Sequence, residues 1–552
     1  MEDRRSHSHG PDSSIDDVNP HAEIEPVPPM SARCIEASPR STSSAAPSPM
    51  LYTIFTPRQK QLLTFLLGFA SITSPLTATI YFPLLPLLRT HFHTSAQAIN
   101  LTITIYIIFQ AVSPALFATL SDSLGRRAVY LITLTLYLLA NIGLALNKDS
   151  YAALLVLRAL QSLGASAAFA VSFGVVADVC VPAERGKMLG PVSMALNLGT
   201  CVGPVVGGWV ALRSGGYDWV FWFLVVVGGV LLVAVGGFLP ETARSVVGNG
   251  SLQARRWWET SWWSVLVSTR CRKQSQTGSG NDEVEGRIVH SDREGPVAEK
   301  TRKINLGNPL ACLRIIFWKD TGLVLWMHGS FYLVDYCIQT AIPSAYKDLY
   351  HFNELEIGLS YLPRGTGIIL GGYINGRMMD RNYRLTAKKI GHTVNRVSGD
   401  DLNHFPIERA RTRGSWYLLG TLTIVLIGYG WALEQHSHVS IPLMLQFLQG
   451  FLGTCIYTIY NTLLVDIFPE SPSTAAAAAS ITRCALAASG VAALQPLLDT
   501  LGRGWFFTAL GLASGGAGLV AVWAIQTYGM KWRGQRLAQT TKAREDNVSA
   551  HT

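Results

Sequence analysis

Charge is what this chain has least of. Only 15% of its 552 residues are Asp, Glu, Lys or Arg, against about 25% in ordinary soluble domains, and 49% are hydrophobic. Its apolar stretches also lack the polar stripe at helical spacing that a helix of a soluble bundle carries. The eight cysteines make no framework. Cys34 and Cys271 stand alone, while Cys180, Cys201, Cys312, Cys337, Cys455 and Cys484 lie in or beside apolar runs without ligand spacing, so small buried hydrophobe is their expected role. No Gly-x-x-x-x-Gly-Lys-Ser/Thr string for ATP and no His/Cys zinc pattern occurs. Nothing here points to an enzyme, a metal or a cofactor. Residues 1–55, rich in Ser, Pro, His and charge, contain no apolar core and are expected to form a disordered cytosolic tail and not a signal peptide.

What the chain has instead is a succession of twelve apolar runs, at roughly 62–87, 97–120, 128–146, 151–177, 187–212, 218–239, 320–345, 357–376, 414–433, 439–465, 474–498 and 504–527. A helix of about 20 residues crosses a bilayer core of about 30 Å. Many runs are loosened by Gly, Pro, Ser and Thr, as membrane helices packed on one another can be. An all-α membrane protein with twelve transmembrane helices is therefore predicted.

Lys and Arg set its orientation. One set of connections is basic: Arg126 and Arg127, Arg185 and Lys187, the segment from Arg244 to Lys319, and that from Arg377 to Arg413. The opposite set is short and poor in cations, with Lys148, Arg213 and Lys347 and none in the Glu434–His438 turn. The positive-inside rule then places both termini and the central loop in the cytoplasm. The formal charge of +9 is accordingly topology and lipid contact, not nucleic-acid binding. The expected organisation is a disordered cytosolic tail (1–58), a six-helix bundle (59–240), a cytosolic central loop (241–319), a second six-helix bundle (320–528) and a cytosolic C-terminal tail (529–552). In the central loop, Trp257, Trp258, Trp262 and Trp263 alternate with Arg255, Arg256, Arg270 and Arg272, which suits an amphipathic helix at the headgroups; a plain linker is the alternative. Residues 273–303 read as disordered. Asn100-Leu101-Thr102 is a glycosylation sequon on the outer side, but it abuts the membrane and is expected to be unused.

Several motifs carry more than topology. Asp122-Ser123-Leu124-Gly125-Arg126-Arg127 fills the short gap between the second and third runs, and Gly376-Arg377-Met378-Met379-Asp380-Arg381 echoes it after the eighth. Gln161 and Asp178 are 17 residues apart, as are Gln449 and Asp466. Such recurrence implies two related halves, a mark of secondary transporters. In the fifth run, Gly199, Gly203, Pro204, Gly207 and Gly208 permit close helix approach and a bend.

With its full Gly-x-x-x-Gly-Pro-x-x-Gly-Gly string the chain resembles the antiporter branches of the major facilitator superfamily. Asp122-x-x-Gly125-Arg126-Arg127 resembles that family's signature between spans two and three, with Ala118 where the leading Gly stands, and Arg158-x-x-Gln161-Ser162-x-Gly164 resembles its fourth-span element, with Ser162 for one Gly. Pro240-Glu241-Thr242-Ala243-Arg244, Val247-Gly248-Asn249-Gly250-Ser251, Tyr361-Leu362-Pro363 and Gly490…Gln495-Pro496 resemble the fungal quinidine-resistance-type subgroup of the twelve-span drug:proton antiporters, which includes exporters of organic acids and secondary metabolites. The resemblance covers about residues 60–530. It implies the major facilitator fold, two pseudo-symmetric six-helix bundles rocking about a central site. It also implies export driven by the proton gradient, without a cofactor. Asp122, Gly125, Arg126, Arg127 and Asp178, together with the glycine-proline string and the echo residues Gly376, Asp380, Arg381 and Asp466, would then serve gating. The bland alternative is that Arg126 and Arg127 only set topology.

Ionisable residues inside spans are costly and usually face a cavity. Arg158 lies seven residues into the fourth run, about 10 Å deep at about 1.5 Å per residue. Arg364 is at similar depth in the eighth, Arg483 lies about 13 Å into the eleventh, and Asp335 is near the middle of the seventh. Asp335 and Arg364 invite an ion pair. Even so, two cations remain, and surplus guanidinium favours anions, carboxylates above all. Arg158, Gln161, Arg364, Arg483 and Asp335 are thus the candidate substrate-binding residues, although each charge also has a purely structural reading. Thr73, Ser74, Thr77, Thr79 and Tyr81 of the first run either line a cavity or bond back to their own helix.

The expectation is a monomeric, proton-coupled exporter of an organic acid or secondary metabolite in a fungal plasma membrane, with small solute, protons and lipids as its partners. Alternatives are a multidrug efflux pump of the same family, an importer, a non-transporting receptor, and a vacuolar or vesicular membrane. The C-terminal segment from Lys531 to Thr552 is short for a signalling tail.

Overall fold

Proline punctuation shapes the first membrane crossing. Helix α1 (Pro57–Ser71) starts on a capping box between Thr56 and Gln59 with Pro57 in its first turn. Instead of one rod, α2 (Thr73–Thr79), a 3-10 turn (Phe82–Leu84) and α3 (Leu85–His91) follow, with Pro83 and Pro86 opening the last two pieces. Each proline removes a backbone donor and so interrupts the hydrogen-bond ladder of this crossing. This computed structural model describes residues 53, 55–180, 185–247, 315–390, 405–468 and 472–549. The N-terminal tail, the Trp257–Trp263 segment, residues 273–303 and Cys34, Cys271 and Cys312 lie outside the described residues.

Five more helices complete the first half: α4 (Ala96–Leu124), α5 (Arg126–Leu146), α6 (Tyr151–Val179), α7 (Arg185–Ser214) and α8 (Asp218–Phe238), followed by a single turn, α9 (Arg244–Val247). Ser95 and Ser150 cap α4 and α6 through their side-chain oxygens. In the second half come α10 (Lys319–Tyr350), α11 (Glu354–Leu359), α12 (Leu362–Ile390), α13 (Ile407–Arg411), α14 (Ser415–Glu434), α15 (Ser440–Ile467) and α16 (Pro472–Ser549). No strand occurs among the described residues.

Nine segments among the described residues are long and apolar enough to cross a membrane. One of them, Ala475–Thr541, is two helices joined at Gly502, whose φ of 75° breaks α16. There Glu434 accepts from the freed amides of Arg503 (3.0 Å) and Gly504 (3.3 Å). With α10 and α12, which are too polar to qualify on composition, the crossings number twelve and fall on the predicted runs. The two exceptions carry Asp335 and Arg364, so their polarity is the signature of the site.

Two predicted ends move. Helix α12 runs on to Ile390 instead of stopping near 376, because residues 377–390 hold no Gly or Pro. After the twelfth crossing the helix continues to Ser549, held by Arg533 and Arg536, both buried.

The halves are joined near Glu354 and through contacts of α4 and the first crossing with the second half. Helix α7 is wedged between α2 and α11: a Cβ at Gly207 would strike the Ile80 carbonyl and one at Gly208 the Glu354 backbone. Gln97 donates to the Ala492 carbonyl (2.7 Å), and Phe82 stacks on Tyr361 at 5.9 Å between ring centres.

Candidate functional site

Helical spacing brings polar side chains from both halves into the interior of the bundle. In the first half Arg158 is 1% exposed. It donates to Gln161 Oε1 three residues on (2.6 Å), and Gln161 donates to Asn141 (2.7 Å). Its guanidinium carbon lies 4.0 Å from the Tyr81 ring centre and 4.4 Å from that of Tyr106. Ring faces attract cations, so this cage holds a buried charge without an acid. No carboxylate pairs with Arg158 among the described residues. Tyr81 and Tyr106 are themselves fixed by Thr102 (2.9 Å) and the Ser74 carbonyl (3.0 Å). The first-run hydroxyls split between the two readings: Thr73 and Thr79 bond back to carbonyls of the first crossing, Thr79 also reaching Gly199 of α7 (3.3 Å), whereas Thr77 meets Tyr137 (2.8 Å) and Ser74 meets Ser166 (3.2 Å).

In the second half, Asp335 and Arg364 do pair. Arg364 Nε donates to Asp335 Oδ1 at 3.0 Å and Nη2 reaches both carboxylate oxygens. Gln339, one turn along α10, adds a bond to Oδ2 (2.8 Å) and Gln449 a longer one to Oδ1 (3.4 Å). This pair is neutral and saturated. Arg483 is different: it donates to the Tyr457 hydroxyl (2.8 Å), lies 4.9 Å over the Tyr332 ring and has no acid partner among the described residues. The hydroxyls of Tyr332 and Tyr336 lie 3.5 Å from Gln110 Oε1, linking the second half to the first.

The gating residues divide. Gly125, at φ 109°, turns the chain so that Arg126 opens α5. Arg126 then meets Asp122 (2.7 Å), Asp178 (3.0 Å) and Ser121 (2.6 Å). Arg127 reaches the closing carbonyls of α8, Leu239 and Gly236. Gly199, Gly203, Pro204, Gly207 and Gly208 line the faces of α7 that touch α2 and α11. In the second half Asp466 pairs with Arg411 (2.7 Å), which precedes α14 as Arg126 opens α5. Asp380 and Arg381 are exposed on the extended α12, and Gly376 touches no neighbouring helix. The echo therefore repeats the N-half motif in sequence but not in contacts, because the helix continues where the first half turns.

Sequence reasoning missed several participants. Glu241, quoted only within a motif, accepts from the amides of Arg126 (2.8 Å), Arg127 (3.2 Å), Thr242 (2.9 Å) and Ala243 (2.9 Å), a carboxylate set on a helix start. His328, Tyr332 and Tyr336 share one face of α10; their spacing of four inside a predicted span was the available signal.

Twelve crossings in two halves, with arginines held inside the bundle, define a membrane protein built to pass a solute between its halves. The Major Facilitator Superfamily model matches residues 67–491. The chain belongs to that superfamily, the transporters the sequence motifs had suggested. It is 34% identical over 465 residues to Citrate exporter 1 of Aspergillus niger, covering 83% of this chain and 84% of that one. It is 29% identical over 514 residues to Multidrug transporter QDR2 of Candida glabrata, covering 90% of this chain and 84% of the relative. The crystal structure of a D-xylose-proton symporter superposes with a TM-score of 0.59 at 15% identity, over 84% of this chain and 97% of that one, a likeness of fold alone.

Proposed function

We propose that this chain exports a small organic anion, an organic acid or acidic secondary metabolite, from a fungal cell by proton-coupled alternating access. One observation carries the reading: of three guanidiniums inside the spans, only Arg364 has a carboxylate among the described residues, which leaves Arg158 and Arg483 uncompensated there. Uncompensated cations in a low-dielectric interior attract an anion and repel a cation. The likeness to a citrate exporter points the same way. QDR2 supports the second reading, multidrug efflux, but a bulky cation gains nothing from two arginines without a carboxylate.

The Arg126 end is cytoplasmic in this account, with both termini on that side of the plasma membrane, and the protein acts as a monomer among lipids. Sealing between α7 and α11 at the opposite end corresponds to an inward-facing arrangement. The chain has no catalytic role and needs no cofactor beyond the proton gradient. An inside-negative potential also favours anion exit, by about 2.3 kcal/mol per charge per 100 mV.

The test is intracellular accumulation of candidate acids in strains with and without the gene, with untargeted comparison of metabolites in the medium. Export lowers accumulation; a rise indicates import, and no change indicates a non-transporting protein.

A further inference from the structure

Helix α10 packs closely on α16 at Gly329, where a Cβ would sit 3.3 Å from Arg483 Cα. That approach puts the neighbouring His328 ring 4.2 Å from the ring of Tyr457, the hydroxyl that receives Arg483. His328 is 1% exposed. Neither of its ring nitrogens has a hydrogen-bond partner, and Arg483 Nε has none either.

Donor arithmetic identifies what is missing. A guanidinium offers five N–H groups, a neutral imidazole one, and a phenol one. Tyr457 takes one of the guanidinium's, and the acceptors left in the cluster are one imidazole nitrogen and the second lone pair of the phenol, fewer than the donors. The cluster is thus rich in donors and carries a positive charge. Buried donors without acceptors cost stability, and a group that only accepts, with negative charge, removes that cost. The other two arginines are less open: Arg364 is neutralised by Asp335, and Arg158, whose Nε is also unpartnered, is held by Gln161 with its guanidinium between two ring faces.

We infer that Arg483 Nε–H and the His328 N–H form a subsite for one oxyanion of the transported solute, a carboxylate or phenolate, with Tyr457 fixing the guanidinium plane. His328 is then a specificity residue that rejects solutes lacking an anionic oxygen. This rests on the organic-anion reading above.

The test uses the full chain purified in detergent and isothermal titration with citrate and with benzoate, benzyl alcohol serving as uncharged control. Wild type binds at least one carboxylate and ignores the alcohol. His328→Phe keeps a ring beside Tyr457 but removes the N–H, and weakens binding tenfold or more. His328→Gln retains an N–H and falls between, which secures the test where the Phe variant does not fold. Arg483→Gln abolishes binding. Unchanged affinity in a folded His328→Phe variant, or loss with Arg158→Gln but not with Arg483→Gln, overturns the subsite and leaves the anion reading standing. A wild-type chain that binds neither carboxylate overturns both.

Discussion

Arg364 holds the carboxylate of Asp335 across consecutive crossings, Nε to Oδ1 at 3.0 Å, with Gln339 and Gln449 taking up the remaining acceptor capacity. Breaking one side of such a pair leaves a charge uncompensated, at about 3–5 kcal/mol, whereas removing both is far less costly. Arg364→Gln and Asp335→Asn should each lose efflux and lower Tm. The double variant should recover both if the pair is structural. A double variant that is expressed, stable and inactive would instead assign Arg364 to the solute.

Pro204 interrupts the hydrogen bonding of α7 where that helix is pinned between α2 and α11. Pro204→Ala restores the backbone bond lost at that turn and should slow efflux without changing the level of protein at the membrane. Wild-type efflux from a correctly localised variant would remove the mechanical role.

Glu241 collects four amides at the start of α5 and beside it, and Gly125 makes room for its carboxylate. Glu241→Ala should lower stability by about 1–3 kcal/mol for each amide that water cannot reach. Gly125→Ala should cost about 1–3 kcal/mol from its backbone conformation, besides the collision. Thermal melts of detergent-purified protein read both, and a melt unchanged in either variant contradicts the assignment.

Outside the spans, Glu408 on α13 is buried beside Arg533, 3.2 Å from Oε1 to Nε, with Arg536 and Asp320 close by. Burial pushes its carboxyl up, and Arg533 pulls it partly back. A folded value above the unfolded one means that the folded chain prefers the protonated acid. That contribution is full below the ordinary Glu value of 4.5 and is lost as pH rises through the raised value. Glu408→Gln should therefore gain in Tm on wild type as pH climbs from about 4.5 towards 7. A Tm difference that ignores pH would contradict it.

The crossings were legible because bilayer length and apolarity are properties of a continuous run, and ten of the twelve needed nothing else. Asp335 with Arg364 was legible too, since opposite charges at equal depth on consecutive spans have few other solutions. The partner of Asp466 was not: Arg381 matched the motif, but Arg411 reaches the site because α12 continues past the expected turn. The helix beyond 528 was hidden for a related reason. It is polar, the side chains it buries are Arg533 and Arg536, and it is fixed by the pairing of Arg536 with Asp320 (2.9 Å), far apart in sequence. His328 was overlooked because one histidine in an apolar run is ordinarily a satisfied core residue.

The central claim is that uncompensated arginines select an anion, and charge-selective efflux tests it most directly. Export of a carboxylate and of a permanently cationic compound is measured in parallel from cells expressing wild type, Arg158→Ala, Arg483→Ala and the two Lys substitutions. The account predicts carboxylate efflux by wild type, its loss in both Ala variants, and poor rescue by Lys, which lacks the planar fork. Efflux of the cationic compound, undiminished when Arg158 and Arg483 are each neutralised, would contradict it.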